Sequence, residues 1–312
     1  MEIYRLRYPD QVDIGQNHAY SLAIGFFDGV HKGHQEVIRS AKKTAVDLAI
    51  KTAVMTFDPH PSRLFSNKNI GYITPIEEKV RLLQALEVDV LFVVSFDWDL
   101  ASLSPEQFID AFIKGLGVKH VTAGYDFTFG VKGSGTMEDM SKLSNGLYGT
   151  TTVSKVTFDE NGKTSSTKIR ELLSQGNVEE AATLLGRPFR TFGEVVHGEK
   201  RGRLLGFPTA NIQTSEEHIV PANGVYAVKC LIAGTWFKGV CNMGVKPTFH
   251  DPKHRRATAE VHLLDATLDL YGQEVAIDWL HRIRSERKFD SLEALKEQIA
   301  KDKQIAIDLL ND

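Results

Sequence analysis

A parallel α/β domain followed by a small antiparallel β-barrel and a closing helix is the fold class predicted by this sequence. Three observations predict it. The 312 residues exceed what one hydrophobic core usually serves, so two domains are expected. Residues 1–186 alternate short apolar runs with helical patterns, the grammar of a parallel sheet covered on both faces. Residues 187–312 change to closely spaced short runs parted by Gly, Pro, Asn or Asp, the grammar of a small barrel.

In chain order, the strands expected in the first domain are residues 20–28, 51–58, 89–97 and 119–127, each apolar and bounded by polar or turn residues. After the first, Val37, Ile38, Ala41, Ala45, Leu48 and Ala49 fall on one helical face. Thr74-Pro75-Ile76-Glu77 and Ser104-Pro105-Glu106-Gln107 both read as capping boxes with proline at the first helical position. Residues 167–186 read as two short helices split at Gly176-Asn177. The barrel strands are expected at 191–197, 225–232, 235–241, 258–264 and 274–280, and an amphipathic helix starts at Asp290 or Ser291. The boundary is placed near Arg187-Pro188.

Composition narrows the function classes. With 42% hydrophobic and 25% charged residues there is material for real cores. The 37 basic and 40 acidic side chains give a net charge of −3, so no global field draws the chain to nucleic acid or an anionic bilayer. No apolar run is long enough to span a membrane and the first residues lack the order of a signal peptide, so a cytoplasmic location is expected. Cys230 and Cys241 fit a reducing compartment, as small buried strand residues. Oligomeric state is left open.

The segment GFFDGVHKGH, residues 25–34, follows a strand and opens a helix. A helix N-terminus presents unpaired N–H groups and the positive end of the dipole, which attract phosphate. Gly29 and Gly33 clear side chains from that approach, and His31 and His34 add imidazole donors. The alternative is a glycine-shaped bend with surface histidines; the position at a strand's carboxyl end, where parallel sheets bind ligands, favours the anion. Neither GxxxxGK[ST] nor GxGxxG occurs. The segment TSSTKIR, residues 164–170, is a second helix start, where Ser165, Ser166, Thr167, Lys168 and Arg170 suit a polyphosphate, although alone it reads as an ordinary N-cap. Together the two have the form of a nucleotidyltransferase that cleaves ATP between its α- and β-phosphates. Residues 58–61 and 124–136 also follow strands, so the same crevice is expected to collect them, with the glycine-rich 129–136 either closing over a ligand or serving as a connector. His250 and His254 lack a third partner and are read as loop histidines rather than a metal pair.

GFFDGVHKGH, TFDPHP, AGYDFTFG and SSTKIR occur in the order seen in bacterial bifunctional riboflavin kinase/FMN adenylyltransferases, and the chain resembles that family. HGEKRGRLLGFPTANI, PANGVYAV, CNMGVKPTF, AEVHLLD and RIRSERKF continue the resemblance through the riboflavin kinase module. It implies a Rossmann-like nucleotidyltransferase domain over 1–186 and a riboflavin kinase-like barrel over 187–312. It implies also ATP as co-substrate, Mg²⁺, and riboflavin, FMN and FAD as substrates and products. His31, His34 and Arg170 are the catalytic residues implied for adenylyl transfer, with Gly25, Phe27, Asp28, Gly29, Gly33, Ser166 and Thr167 on the nucleotide. Asp28 reads equally well as a turn aspartate. Glu260 matches the family's base for the ribityl hydroxyl, Thr209 and Asn211 its Mg²⁺ ligands, and Gly198, Gly202 and Gly206 with Lys200, Arg201 and Arg203 its nucleotide flap, a solvated charge run being the alternative for that loop. His60, Asp126, Arg284, Glu286 and Arg287 are expected around flavin, a surface ion-pair network being the alternative for the last three.

Thr164 and Thr136 depart from the pattern, standing where many relatives have an aliphatic residue and an aspartate. A chain retaining only FMN adenylyltransferase activity is the nearest alternative. An adenylyltransferase for a nicotinamide or pantetheine phosphate is the next, and it would leave the barrel without a purpose. A nucleic-acid-binding module is a third, disfavoured by the near-neutral charge and by the lack of aromatics in the basic loop.

Overall fold

The computed structural model describes residues 1–10, 18–65, 71–155, 164–197, 206–215, 217–247, 255–264 and 270–311. The chain forms two compact units, the first comprising 1–70 and 74–165, the second 71–73 and 166–312.

The first unit is built on a six-stranded sheet whose neighbouring strands all run parallel. Its strands are β1 (Glu2–Leu6), β2 (Tyr20–Ile24), β3 (Lys51–Asp58), β4 (Val90–Ser95), β5 (Val118–Gly124) and β8 (Gly149–Val153), in the order β1-β4-β3-β2-β5-β8. Alternate residues of each central strand enter different cores. Leu22, Ile24, Met55, Phe92 and Val94 pack on one face. Ala23, Val54, Leu91 and Val93 pack on the other, against Val37, Ile38 and Ala41 of helix α1 (Lys32–Asp47). Full burial on both faces stabilises the sheet by roughly 1.5–3 kcal/mol for each large apolar side chain, and explains the near-continuous apolar runs.

The four strands expected from sequence form the centre of this sheet. The two that were not expected, β1 and β8, are its edges. Edge strands are covered less and carry more polar residues, so their apolar signal is weak.

The capping box at Ser104 forms as expected, with the Ser104 hydroxyl accepting from the Gln107 N–H at 3.2 Å and the Gln107 side chain accepting from the Ser104 N–H at 2.8 Å. The one at Thr74 does not. Helix α3 (Ile76–Ala85) opens after Pro75 without a side-chain cap, and the Thr74 N–H donates instead to Asp28 Oδ1 at 3.0 Å. Residues 128–136 form a tight hairpin, with Thr128 opposite Thr136 and Phe129 opposite Gly135, anchored by the buried Phe129 ring. Thr136 then caps helix α6 (Met137–Lys142) in a reciprocal box with Asp139, so threonine at this position does a capping residue's work.

The second unit contains α7 (Ser166–Gln175), α8 (Val178–Leu185) and a closed barrel in the order β10-β13-β12-β11-β14-β9. These strands are β9 (Phe189–Val196), β10 (Ala210–Thr214), β11 (Gly224–Ile232), β12 (Thr235–Pro247), β13 (Arg255–Leu263) and β14 (Glu274–Arg284). Ile169, Leu172, Val178 and Ala181 pack α7 and α8 against Val228, Cys230 and Trp279 of the barrel. The two helices part at Gly176, whose φ is 83° and where a Cβ would lie 2.8 Å from the Tyr226 hydroxyl. Trp279, the largest fully buried side chain, donates its indole N–H to Thr191 Oγ1 at 2.9 Å. Strand β10 was not expected; its Asn211 and Gln213 alternate with one fully buried aliphatic residue, Ile212, too short a pattern to detect. The C-terminal helix (Leu292–Asn311) lays Ala306 and Leu310 on Ala227 and Leu264.

Candidate active sites

In the first unit, the turn between β2 and α1 is built from left-handed backbone. Phe27 has φ 53°, Gly29 φ 92° and Val30 φ 40°. Such values in non-glycine residues cost about 1–3 kcal/mol each and persist only where surrounding structure enforces them. Phe27 is enforced by burial at 2% exposure, with its ring edge on the His34 imidazole at 5.3 Å and against Gly25, where a Cβ would sit 3.1 Å from the ring. Asp28, also buried, ties the turn to Thr74.

His31 is the N-cap of α1, and its Nδ1 accepts from the His34 N–H at 3.2 Å. An accepting Nδ1 leaves the neutral ring's proton on Nε2. The two imidazoles stack with centroids 3.5 Å apart and planes 16° from parallel. Gly33 suits this arrangement, since a Cβ there would lie a tight 3.1 Å from His31 Cε1 and 3.2 Å from its Nδ1. The spacing His-x-Gly-His therefore encodes one object: a histidine-capped helix start whose second turn residue has no side chain.

Because β2 pairs in parallel with both β3 and β5, their carboxyl ends share an edge. His60, two residues beyond β3, meets the Phe26 ring edge-on at 4.1 Å, and its Nδ1 accepts from the Ser62 N–H at 3.0 Å. Asp126 is exposed just past β5, and its carboxylate bends back to within 3.2 Å of where a Cβ on Gly124 would be. The Thr164 carbonyl lies 4.0 Å from the corresponding Cβ position at Gly33, so the chain leading into SSTKIR runs beside the α1 start. Ser166, Thr167 and Arg170 stand in the first turns of α7, within the second unit.

On the barrel, Asn211 of β10 stands opposite Glu260 of β13, which stands opposite Asn242 of β12. Their neighbours Ile212, Ala259, Val261, Cys241 and Met243 fill the interior, so this polar row lies on the outer face. Two residues along β12, a Cβ on Gly244 would lie 3.1 Å from Glu286 Oε1 and 3.9 Å from the Asn242 amide nitrogen, which brings Glu286 to the same face. Glu286 also accepts from Asn223 at 3.4 Å. Thr209 directly precedes β10 and Gly206 has φ 85°. Hydroxyl, amide and carboxylate oxygens are the hard donors that Mg²⁺ takes beside substrate phosphates. Among the described residues no group of three or more His, Cys, Asp or Glu is placed to hold a metal ion. Gly198, Lys200, Arg201, Gly202 and Arg203 lie outside the described residues, as do His250 and His254.

Residues 13–168 match the family model for FAD synthetase and residues 185–310 the model for riboflavin kinase. A Bacillus subtilis bifunctional riboflavin kinase/FMN adenylyltransferase is 48% identical, covering 92% of this chain and 91% of its own length. The chain belongs to the bifunctional riboflavin kinase/FMN adenylyltransferase family. A Listeria monocytogenes member of that family is 43% identical over 97% of this chain and 96% of its own. A Streptococcus pneumoniae crystal structure superposes with a TM-score of 0.88 at 36% identity, covering 97% and 98% of the two chains; it bears the name of a macrolide-efflux protein. That name and the two matched families disagree, and among the described residues no helix is long and apolar enough to cross a membrane.

In this member of the riboflavin kinase/FMN adenylyltransferase family, Arg284 at the end of β14 and Arg287 just beyond it are engaged within the unit. Arg284, expected near flavin, donates to Asp302 through Nε at 3.0 Å and Nη2 at 2.7 Å, and Asp302 is 2% exposed. Arg287 donates to Gln298 and sits 4.9 Å over the Phe289 ring. Sequence reasoning gave no role to Asn242 and Asn223, although they lie within CNMGVKPTF and PANGVYAV, nor to Lys79, which lies in no quoted motif; what singles out Asn242 is its place as the β12 partner of Glu260.

Proposed function

We propose that this chain phosphorylates riboflavin to FMN and then adenylylates FMN to FAD, with Mg²⁺ and ATP in both steps, in the cytoplasm. The carrying observation is that each matched family falls on a part of the chain with its own polar site: the histidine-capped start of α1, and the Asn211–Glu260–Asn242 row. The adenylyl step is assigned to residues 1–186 and the kinase step to 187–312.

In the adenylyl step, an oxygen of the FMN phosphate attacks the α-phosphorus of ATP, and the bond to the β-phosphate oxygen breaks to release pyrophosphate. The attacking group is already ionised, so the protein aligns the partners and neutralises the leaving group. His31 Nε2–H, His34 and the amides of Gly29 to Gly33 supply donors, and Gly25, Phe27 and Asp28 hold their turn in place. Ser166, Thr167 and Arg170 are proposed as ATP phosphate ligands, and His60 and Asp126 beside the flavin.

In the kinase step, the ribityl 5′-hydroxyl attacks the γ-phosphorus and ADP leaves. Glu260 takes the hydroxyl proton. Thr209 and Asn211 would hold Mg²⁺, which would offset charge on the phosphates. Glu286, on the same outer face, bounds the flavin, with Arg284 and Arg287 fixing the segment that carries it.

The test is purified chain with riboflavin, ATP and Mg²⁺, sampled by chromatography. FMN should appear first and FAD after it. FMN without FAD removes the adenylyltransferase, and absence of FMN with FAD still formed from added FMN removes the kinase.

A further inference from the structure

Lys79 on α3 is 2% exposed, yet its ammonium faces no carboxylate at hydrogen-bond distance. It donates to the Phe26 carbonyl at 2.8 Å and to Thr56 Oγ1 at 3.0 Å, while the Thr56 hydroxyl itself donates to the Phe26 carbonyl at 2.8 Å. The ammonium also lies 4.5 Å from the centroid of the Phe26 ring. Phe26 immediately precedes the left-handed turn that delivers His31 and the first amides of α1. A buried cation is a costly way to satisfy one carbonyl, and a threonine hydroxyl already serves it. What the cation adds is charge, beside a turn that carries Asp28 and a strand end that carries Asp58.

We propose that Lys79 is a positioning residue for adenylyl transfer, its ammonium pinning the Phe26 carbonyl and so holding the 27–30 turn in the form that aims His31 and the α1 amides at phosphate. The inference rests on the adenylyltransferase reading of this site. It assigns Lys79 no contact with substrate; it acts through the turn.

The groups that set its protonation face it from three elements. Burial is the main influence and pulls its pKa down from 10.5 to about 8; Asp28, in the turn after β2, and Asp58, at the end of β3, oppose that pull. On its own helix, Glu78 is taken by Arg81 through contacts of 2.6 and 2.7 Å. His60 lies on the far side of the Phe26 contact, edge-on to that ring. Loss of the proton weakens the grip on Phe26.

The experiment follows FAD formation from FMN and ATP against pH in wild-type chain, Lys79→Met and Thr56→Val, with riboflavin phosphorylation measured on the same preparations. Wild-type kcat should fall as pH rises through about 8. Thr56→Val removes an acceptor of the ammonium and should move that fall to lower pH. Lys79→Met should lose roughly 10²-fold in kcat, with the fall gone and riboflavin phosphorylation unchanged within about twofold. A level wild-type profile, an unmoved fall in Thr56→Val, wild-type kcat in Lys79→Met, or equal loss of both reactions in Lys79→Met overturns the inference. A wild-type chain that makes no FAD at any pH overturns the reading beneath it instead, and the inference goes with it.

Discussion

Asp302 holds Arg284 from the buried face of the C-terminal helix, with both carboxylate oxygens 3.0 Å from Nε and Oδ2 2.7 Å from Nη2. Asp302 is almost fully buried and is bonded also by Gln298 at 2.6 Å, so the pair is a fixed strut between β14 and that helix. Breaking one side leaves an uncompensated buried charge, which costs about 3–5 kcal/mol. Asp302→Ala should therefore destabilise the barrel unit by that amount in denaturant melts. Arg284→Met with Asp302→Leu together should recover most of the loss, because an apolar pair leaves no orphaned charge.

The two sites should be separable by mutation. His31→Ala with His34→Ala removes the cap of α1 and its imidazole donors, and should lower FAD formation from FMN by about 10²–10³-fold while riboflavin phosphorylation persists. Glu260→Gln keeps the shape of its row but cannot take a proton, and should lower FMN formation by about 10²–10⁴-fold while adenylylation of added FMN persists. Assaying each half-reaction on its own substrate decides this; equal loss of both in either variant refutes separate sites.

Gly33→Ala should act like a displaced His31. The added Cβ would lie 3.1 Å from His31 Cε1 and 3.2 Å from its Nδ1, a tight contact that pushes the ring off its capping geometry. FAD formation should fall by roughly tenfold or more with the His31 side chain still present, and an imidazole resonance of changed environment in NMR spectra should accompany it.

Lys79 sets a sign for stability as well. Its folded pKa, about 8, lies below its ordinary 10.5, so between these values the unfolded chain holds a proton that the folded chain has lost. Stability should rise with pH across that window, by up to roughly 3 kcal/mol, and be lowest below it. Hydrogen exchange of β2 and β3 amides should show the rise in wild-type chain and its absence in Lys79→Met. Activity and stability would then move in opposite directions with pH.

Cys230 and Cys241 are free and buried inside the barrel, where burial pushes the Cys230 thiol up to about 12 and Cys241 well above its usual value. Neither should react with iodoacetamide at about pH 8 in native chain, and both should react in denaturant. Mass spectrometry of labelled protein reads this directly.

The central strands of the first unit were legible because full burial on both faces leaves an apolar run that little else produces; β1, β8 and β10 were not, being short or marginal, with half of each pattern polar. The glycine-histidine turn was legible as an anion site from residue types alone. The capping bond from His34 N–H to His31 Nδ1, and the reason glycine suits the place between them, were not, because both depend on where a ring lies in space.

By itself the sequence determined the two architectures, the order of the motifs and the chemistry their residue types allow, since these follow from local periodicity and from groups adjacent along the chain. Only the tertiary structure decided which charges are structural and which face a site. Lys79 carries no signal along the chain until its burial against Phe26 and Thr56 is seen, and Arg284, expected beside flavin or in a surface ion-pair network, is bonded to the buried Asp302 eighteen residues away. Desolvation and pairing across distant elements set the role of an ionisable group, and neither is written in its neighbours along the chain.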